Sequence, residues 1–98
     1  MGNFLITFRI KSDDTYQDRY NSFTEKVSEI ADDLWDETSS FYAIQAKGTA
    51  QSICDSLYFE TDFIESCDMM LIIDLNKNEK AFRGPNDYPR TLEKCLGF

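Results

Sequence analysis

A change of period between residues 10 and 16 constrains this chain more than any other feature. Phe4, Ile6, Phe8 and Ile10 stand at every second position, with Leu5, Thr7 and Arg9 between them. Alternation of aromatic and β-branched residues over a short run predicts a strand over 3–10. Its second face is only half polar, which suits a central place in a sheet. Tyr16, Tyr20, Phe23, Val27 and Ile30 then follow at steps of four, three, four and three. That is one stripe of a helix, predicted over 15–31. Gln17, Asp18, Asn21, Glu25, Ser28 and Glu29 fill the opposite face. Asp13 and Asp14 suit the helix start by capping and by the macrodipole.

The pattern then alternates. Asp32 to Glu37 reads as a turn and a short strand, and Thr38-Ser39-Ser40 as the next turn. Phe41 to Ala46 is a strand by its aromatic and β-branched content. Lys47-Gly48 ends it, and Thr49 is a suitable N-cap for a helix over 50–59. Ile53, Leu57, Cys54 and Tyr58 are its expected inward residues. Residues 60–68 form a connection whose Phe63-Ile64 pair is expected to plug back onto the core. Met69 to Leu75 is the strongest strand, and its continuous apolar run predicts burial on both faces. Lys80 to Arg83 fits a short edge strand with charged ends. Pro89 to Leu96 fits a terminal helix with Leu92, Cys95 and Leu96 inward and Gly97 as its stop.

The expected fold class is therefore α+β. A β-α-β-β-α-β order with both helices on one face of a sheet is the ferredoxin-like arrangement, here with an extra edge strand and a short C-terminal helix. With 98 residues, one domain over 1–98 is expected.

Composition removes several chemistries. There is no His, so this chain holds neither a Ser-His-Asp nor a Cys-His unit and lacks the commonest zinc ligand. Cys54, Cys67 and Cys95 are widely spaced and odd in number, which argues for reduced, largely buried thiols rather than a disulfide or metal site. The expectation is no metal and no cofactor. The first nine residues lack the pattern of a signal peptide, and the longest apolar run, Met69 to Ile73, is far too short to span a membrane. A cytoplasmic location without membrane contact is the expectation. The net charge is −8, from 10 basic and 18 acidic residues. That charge repels phosphate backbones and disfavours direct nucleic-acid binding, while it favours steering toward a basic protein surface.

The layout resembles the small ferredoxin-like subunit of the CRISPR spacer-integration complex and its standalone SinR-like relatives. Four places carry the resemblance: Phe4 to Ile10, Tyr16 to Ile30, Trp35 with Thr38 to Ile44, and Asp68 to Leu75. It implies a homodimer, and in its nuclease members a divalent cation held by an Asp near the end of strand one. Phe8-Arg9 stands at that place here, and a guanidinium repels Mg²⁺. The resemblance thus leaves a metal-dependent nuclease or nucleic-acid-binding subunit as the alternative to a non-catalytic protein.

Among candidate residues, Arg9 is either solvated on the open sheet face or a bidentate partner for a carboxylate or phosphate. Trp35, Phe41 and Tyr42 fit core and dimer interface before they fit a binding surface. Asp32 and Asp33 sit at the helix C-terminus, where the macrodipole disfavours negative charge, and Asp36 and Glu37 form the next acidic cluster. Such a local conflict points to a protein-binding role for these four residues, with Arg9, against the plainer reading of a solvated loop. The expected function is an acidic, homodimeric, non-enzymatic binding protein, as an anti-CRISPR-like phage inhibitor of a nucleic-acid-handling defence system would be.

Overall fold

In the computed structural model, which describes residues 1–98, the alternating run forms β1 (Gly2–Arg9) and the helical stripe forms α1 (Tyr16–Ile30). Then come β2 (Asp33–Trp35), β3 (Phe41–Ala46), α2 (Ala50–Phe59), β4 (Met69–Asp74), β5 (Glu79–Arg83) and α3 (Pro89–Leu96). The protein is α+β: three helices and one five-stranded sheet in the order β2-β3-β1-β4-β5. Every pairing is antiparallel. β1 is central, pairing Ile6 with Tyr42 on one side and with Ile72 on the other.

The pleat divides the side chains of each strand between two faces. Phe4, Ile6 and Phe8 of β1, Tyr42, Ile44 and Ala46 of β3, and Met70 and Ile72 of β4 all point to one face and are buried. α1 and α2 cover that face. Phe23 of α1 packs on Phe8 with ring centroids 4.6 Å apart. Ile53, Cys54 and Leu57 of α2 belong to the same core, as do Val27 and Phe63. α2 begins with reciprocal capping: Ser52 N–H donates to Thr49 Oγ1 at 3.0 Å, and Thr49 N–H donates to Ser52 Oγ at 2.8 Å.

The other face has no such cover. Leu5, Phe41, Ala43, Leu71 and Ile73 are half-buried there, with Thr7 and Arg9 exposed. α3 lies against its β4–β5 side, where Leu92 faces Leu71 and Phe82. Lys80 Nζ ties the last residue down by donating to the Phe98 carbonyl oxygen at 2.8 Å.

Several expectations change. β4 alternates between buried and half-buried residues instead of being buried on both faces, because only one face of the sheet carries α1 and α2. Met69 is half-buried beside Arg9, and only Met70 is core. Phe63 plugs the core but Ile64 is 41% exposed. Cys95 is exposed and Cys67 half-buried, so only Cys54 is a buried thiol. Thr15, not Asp13 or Asp14, holds the cap position of α1, and it makes no side-chain capping bond. Gly84 ends β5 at φ +106°, where a Cβ would stand 2.9 Å from Met69 Cα. No other residue type fits that turn without moving the start of β4.

Candidate functional site

The most deeply buried charged cluster is built from α1, the loop before it and the approach to β4. Arg19 stands one turn before Phe23 on the inward side of α1 and is 2% exposed. Its Nε donates to Asp68 Oδ2 at 3.0 Å and its Nη2 to Asp68 Oδ1 at 3.2 Å. Nη2 also donates to the Lys11 carbonyl oxygen at 3.1 Å. Nη1 donates to Asp13 Oδ1 at 2.7 Å and to Thr15 Oγ1. All five guanidinium hydrogens are thereby used. Asp68, fully buried, accepts in addition from Lys11 N–H at 2.9 Å and Ile64 N–H at 3.0 Å. Burial alone pushes the Asp68 carboxyl upward, but Arg19 and the two backbone N–H donors outweigh it and hold the group below its ordinary value. All five guanidinium hydrogens and both Asp68 oxygens are engaged, so the buried part of the cluster has no free donor or acceptor, and only Asp13 Oδ2 at the outer rim makes no hydrogen bond. The cluster is a clasp that fixes the β1–α1 loop to the start of β4.

Charge left over from ion pairs is displayed elsewhere. Lys26 pairs with Glu29 and Glu60, and Arg83 with Glu65 and Asp55. Asp32, Asp33, Asp36 and Glu37 pair with no cation and are all exposed. They flank β2, an outer strand of the sheet. Strand alternation splits the group. Asp33 and Trp35 face the open side, around a shallow depression of about 470 Å³ floored by Ala43 and Leu75. Asp36 lies on the helix side beside Tyr20 and Tyr42. Trp35 is 47% exposed and meets Phe41 edge-on at 6.1 Å. Tyr42 leaves this aromatic set for the core, where burial pushes its hydroxyl upward. The four carboxylates and Trp35 therefore share one sheet edge but not one flat surface.

Arg9 lies apart from them, with β3 intervening between β1 and β2. It has no carboxylate within ion-pair distance, and its guanidinium meets only Met69 Sδ, at 2.8 Å.

Arg19 is the residue that hydropathy alone passes over. The signal is its spacing: a cation three residues after Tyr16 and four before Phe23 sits at a core position of the helix. A buried cation requires a carboxylate, and Asp68, at the opening of the strongest strand, is placed to supply it.

For nucleophilic or metal chemistry the side chains are poorly arranged. Burial pushes the Cys54 thiol up to about 11, which keeps it protonated at neutral pH. No three His, Cys, Asp or Glu side chains converge as a metal site would require. No helix is long and apolar enough to cross a membrane. No protein-family model, curated protein or solved structure matches the chain.

Proposed function

We propose that this protein is a non-catalytic, homodimeric acidic binding module that docks the β2 edge onto a basic protein surface. One observation carries the reading. Asp32, Asp33, Asp36 and Glu37 remain exposed and unpaired about the exposed Trp35, while Arg19, Lys26 and Arg83 are each held by two other carboxylates. A large aromatic anchor with a charged rim is the usual composition of a protein-contact hot spot. The rim gives selectivity and speed, and the indole gives affinity.

The strand order β2-β3-β1-β4, with a helix after β1 and another after β3, supports a ferredoxin-like reading in which β5 and α3 are additions. It fits the resemblance to the CRISPR spacer-integration subunit. The basic partner then belongs to a nucleic-acid-handling machine, and the module acts in the cytoplasm as an inhibitor of bacterial defence. A metal-dependent nuclease gains nothing from the side chains: Arg9 ends β1, and Asp13 and Asp68 are both bound to Arg19.

The test is to recover the partner by affinity capture and then measure binding kinetics. Replacing Asp32, Asp33 and Asp36 by Asn and Glu37 by Gln should slow association and flatten its salt dependence, since salt acts on such charges by shortening the screening length from ~10 Å at 0.1 M to ~3 Å at 1 M. Trp35→Ala should weaken binding by about 2 kcal/mol or more, roughly 30-fold. Unchanged rates in both variants would reject the β2 edge as the contact.

The dimer is tested separately. β5 is the second outer strand, with a backbone edge open to pairing. Light scattering at micromolar concentration should return about twice the 11.4 kDa of one chain. A constant single-chain mass over a wide concentration range would remove the homodimer from the reading.

A further inference from the structure

A second cavity lies on the uncovered sheet face, away from the β2 edge. It is the cleft beneath α3, with a volume of about 290 Å³. Thr7, Met69, Leu71, Phe82 and Leu92 wall it, and the exposed Arg9 forms its rim. Two features set it apart from an ordinary packing gap. α3 rests on the sheet without one fully buried side chain, so the apolar walls are in contact with water. And Arg9, alone among the three arginines of α1 and the sheet, has no carboxylate: Arg19 and Arg83 each have two. Its only side-chain partner is the Met69 sulfur, a weak acceptor.

An apolar slot with a few polar groups is the usual form of a small-molecule site, and Thr7, Asn86 and Arg9 are the polar residues that line this one. Arg9, the only charged group among them, is a planar fork that matches a carboxylate with two parallel hydrogen bonds. One guanidinium offsets one negative charge. A dianionic phosphate would leave a charge uncompensated in a protein whose net charge is already −8.

We propose that this cleft binds a small amphipathic monocarboxylate, with its alkyl chain between Leu92 and the Leu71–Phe82 pair and its carboxylate on Arg9. The site does not depend on the β2 edge, since β3 lies between β2 and β1. Lys80 and Phe98 anchor the far end of α3 while the ligand enters beside Arg9.

Calorimetric titration with octanoate tests it, with octanol and octyl phosphate as the neutral and dianionic analogues. The expected result is saturable one-to-one binding of octanoate, with both analogues at least tenfold weaker. Arg9→Gln should bring octanoate down to the level of octanol, and Arg9→Lys should fall between. Arg9 is exposed, so unchanged circular dichroism in both variants is expected and separates lost binding from lost fold. Methyl resonances of Met69, Leu71 and Leu92 should shift on saturation. Absence of saturable binding, equal octanoate affinity in wild type and Arg9→Gln, or shifts confined to Ala43 and Leu75 would each overturn the proposal.

Discussion

Arg19→Met should cost about 3–5 kcal/mol of folding free energy, the usual consequence of removing one partner from a buried ion pair. Methionine matches much of the arginine's length, so the loss comes from the charge and not from a cavity. Asp68, fully buried, would keep its two backbone donors but lose both guanidinium bonds. For a domain of this size each kcal/mol moves the melting temperature by about 4–8 °C, so a fall of order 10–40 °C is expected. Removing the aspartate as well, in Arg19→Met with Asp68→Leu, should not restore stability. The Lys11 and Ile64 N–H groups would then be left without acceptors. Acid should act on the same clasp. Asp68 and Asp13 both lie below the ordinary aspartate value of 3.8. A carboxylate whose pKa is lowered by folding stabilises the native state above its unfolded value, and that stabilisation is lost as pH falls through the folded one. Urea midpoints in the wild type should therefore hold steady above pH 5 and drop below about pH 4. In Arg19→Met the acid-dependent part should shrink. A midpoint unchanged by Arg19→Met at neutral pH would mean that the clasp does not hold the fold.

Phe23→Ala should be comparably severe, at about 3–5 kcal/mol, for a different reason. Phe23 has no exposed surface and lies between Phe8, at 4.6 Å, and Phe63, at 6.1 Å. Truncation opens a cavity between α1, β1 and the α2–β4 connection at once, and three separate segments cannot all collapse into it. Phe59→Ala is the control. Phe59 is 70% exposed, meets Tyr58 edge-on at 4.8 Å between ring centroids, and lies 5.3 Å from ring centroid to the Arg83 guanidinium carbon. Its loss should cost no more than about 1 kcal/mol. Equal urea midpoints for the two variants would contradict the assignment of Phe23 to the centre of the core.

The elements were legible where period and burial agree. Phe23 and Val27 are buried and Tyr16, Tyr20 and Ile30 pack beside them, so the α1 stripe was a direct image of its contact face. β1 alternated for the same reason. β4 misled because Met69, Leu71 and Ile73 are apolar yet face the side without α1 and α2. Hydropathy reports what a residue tolerates, and does not report which face receives helices. α3 misled at Cys95 for the opposite reason: the helix buries no side chain fully, Leu92 and Leu96 are only half-buried, and the flanking Cys95 stays exposed. At the candidate site, the exposure of Asp32, Asp33, Asp36 and Glu37 followed from their charge. Their division between two faces followed from β2 being a strand of only three residues, Asp33–Trp35, which alternation alone resolves once its register on β3 is known. The clasp was hidden because Arg19 and Asp68 are 49 residues apart and neither is unusual locally.

The central place of β1 also bears on how the chain is made. β1 is synthesised before both of its partners: residues 41–46 on one side and 69–74 on the other. Phe4, Ile6 and Phe8 therefore wait unpaired until β3 has been made, nearly half of the 98 residues, and meet their second partner, β4, only after about three-quarters. At about 5–20 residues per second this exposes an aromatic strand for seconds, far longer than a hairpin takes to close. Translation speed thus becomes part of the aggregation hazard of this sheet, and a circular order that began at β3 would shorten the delay.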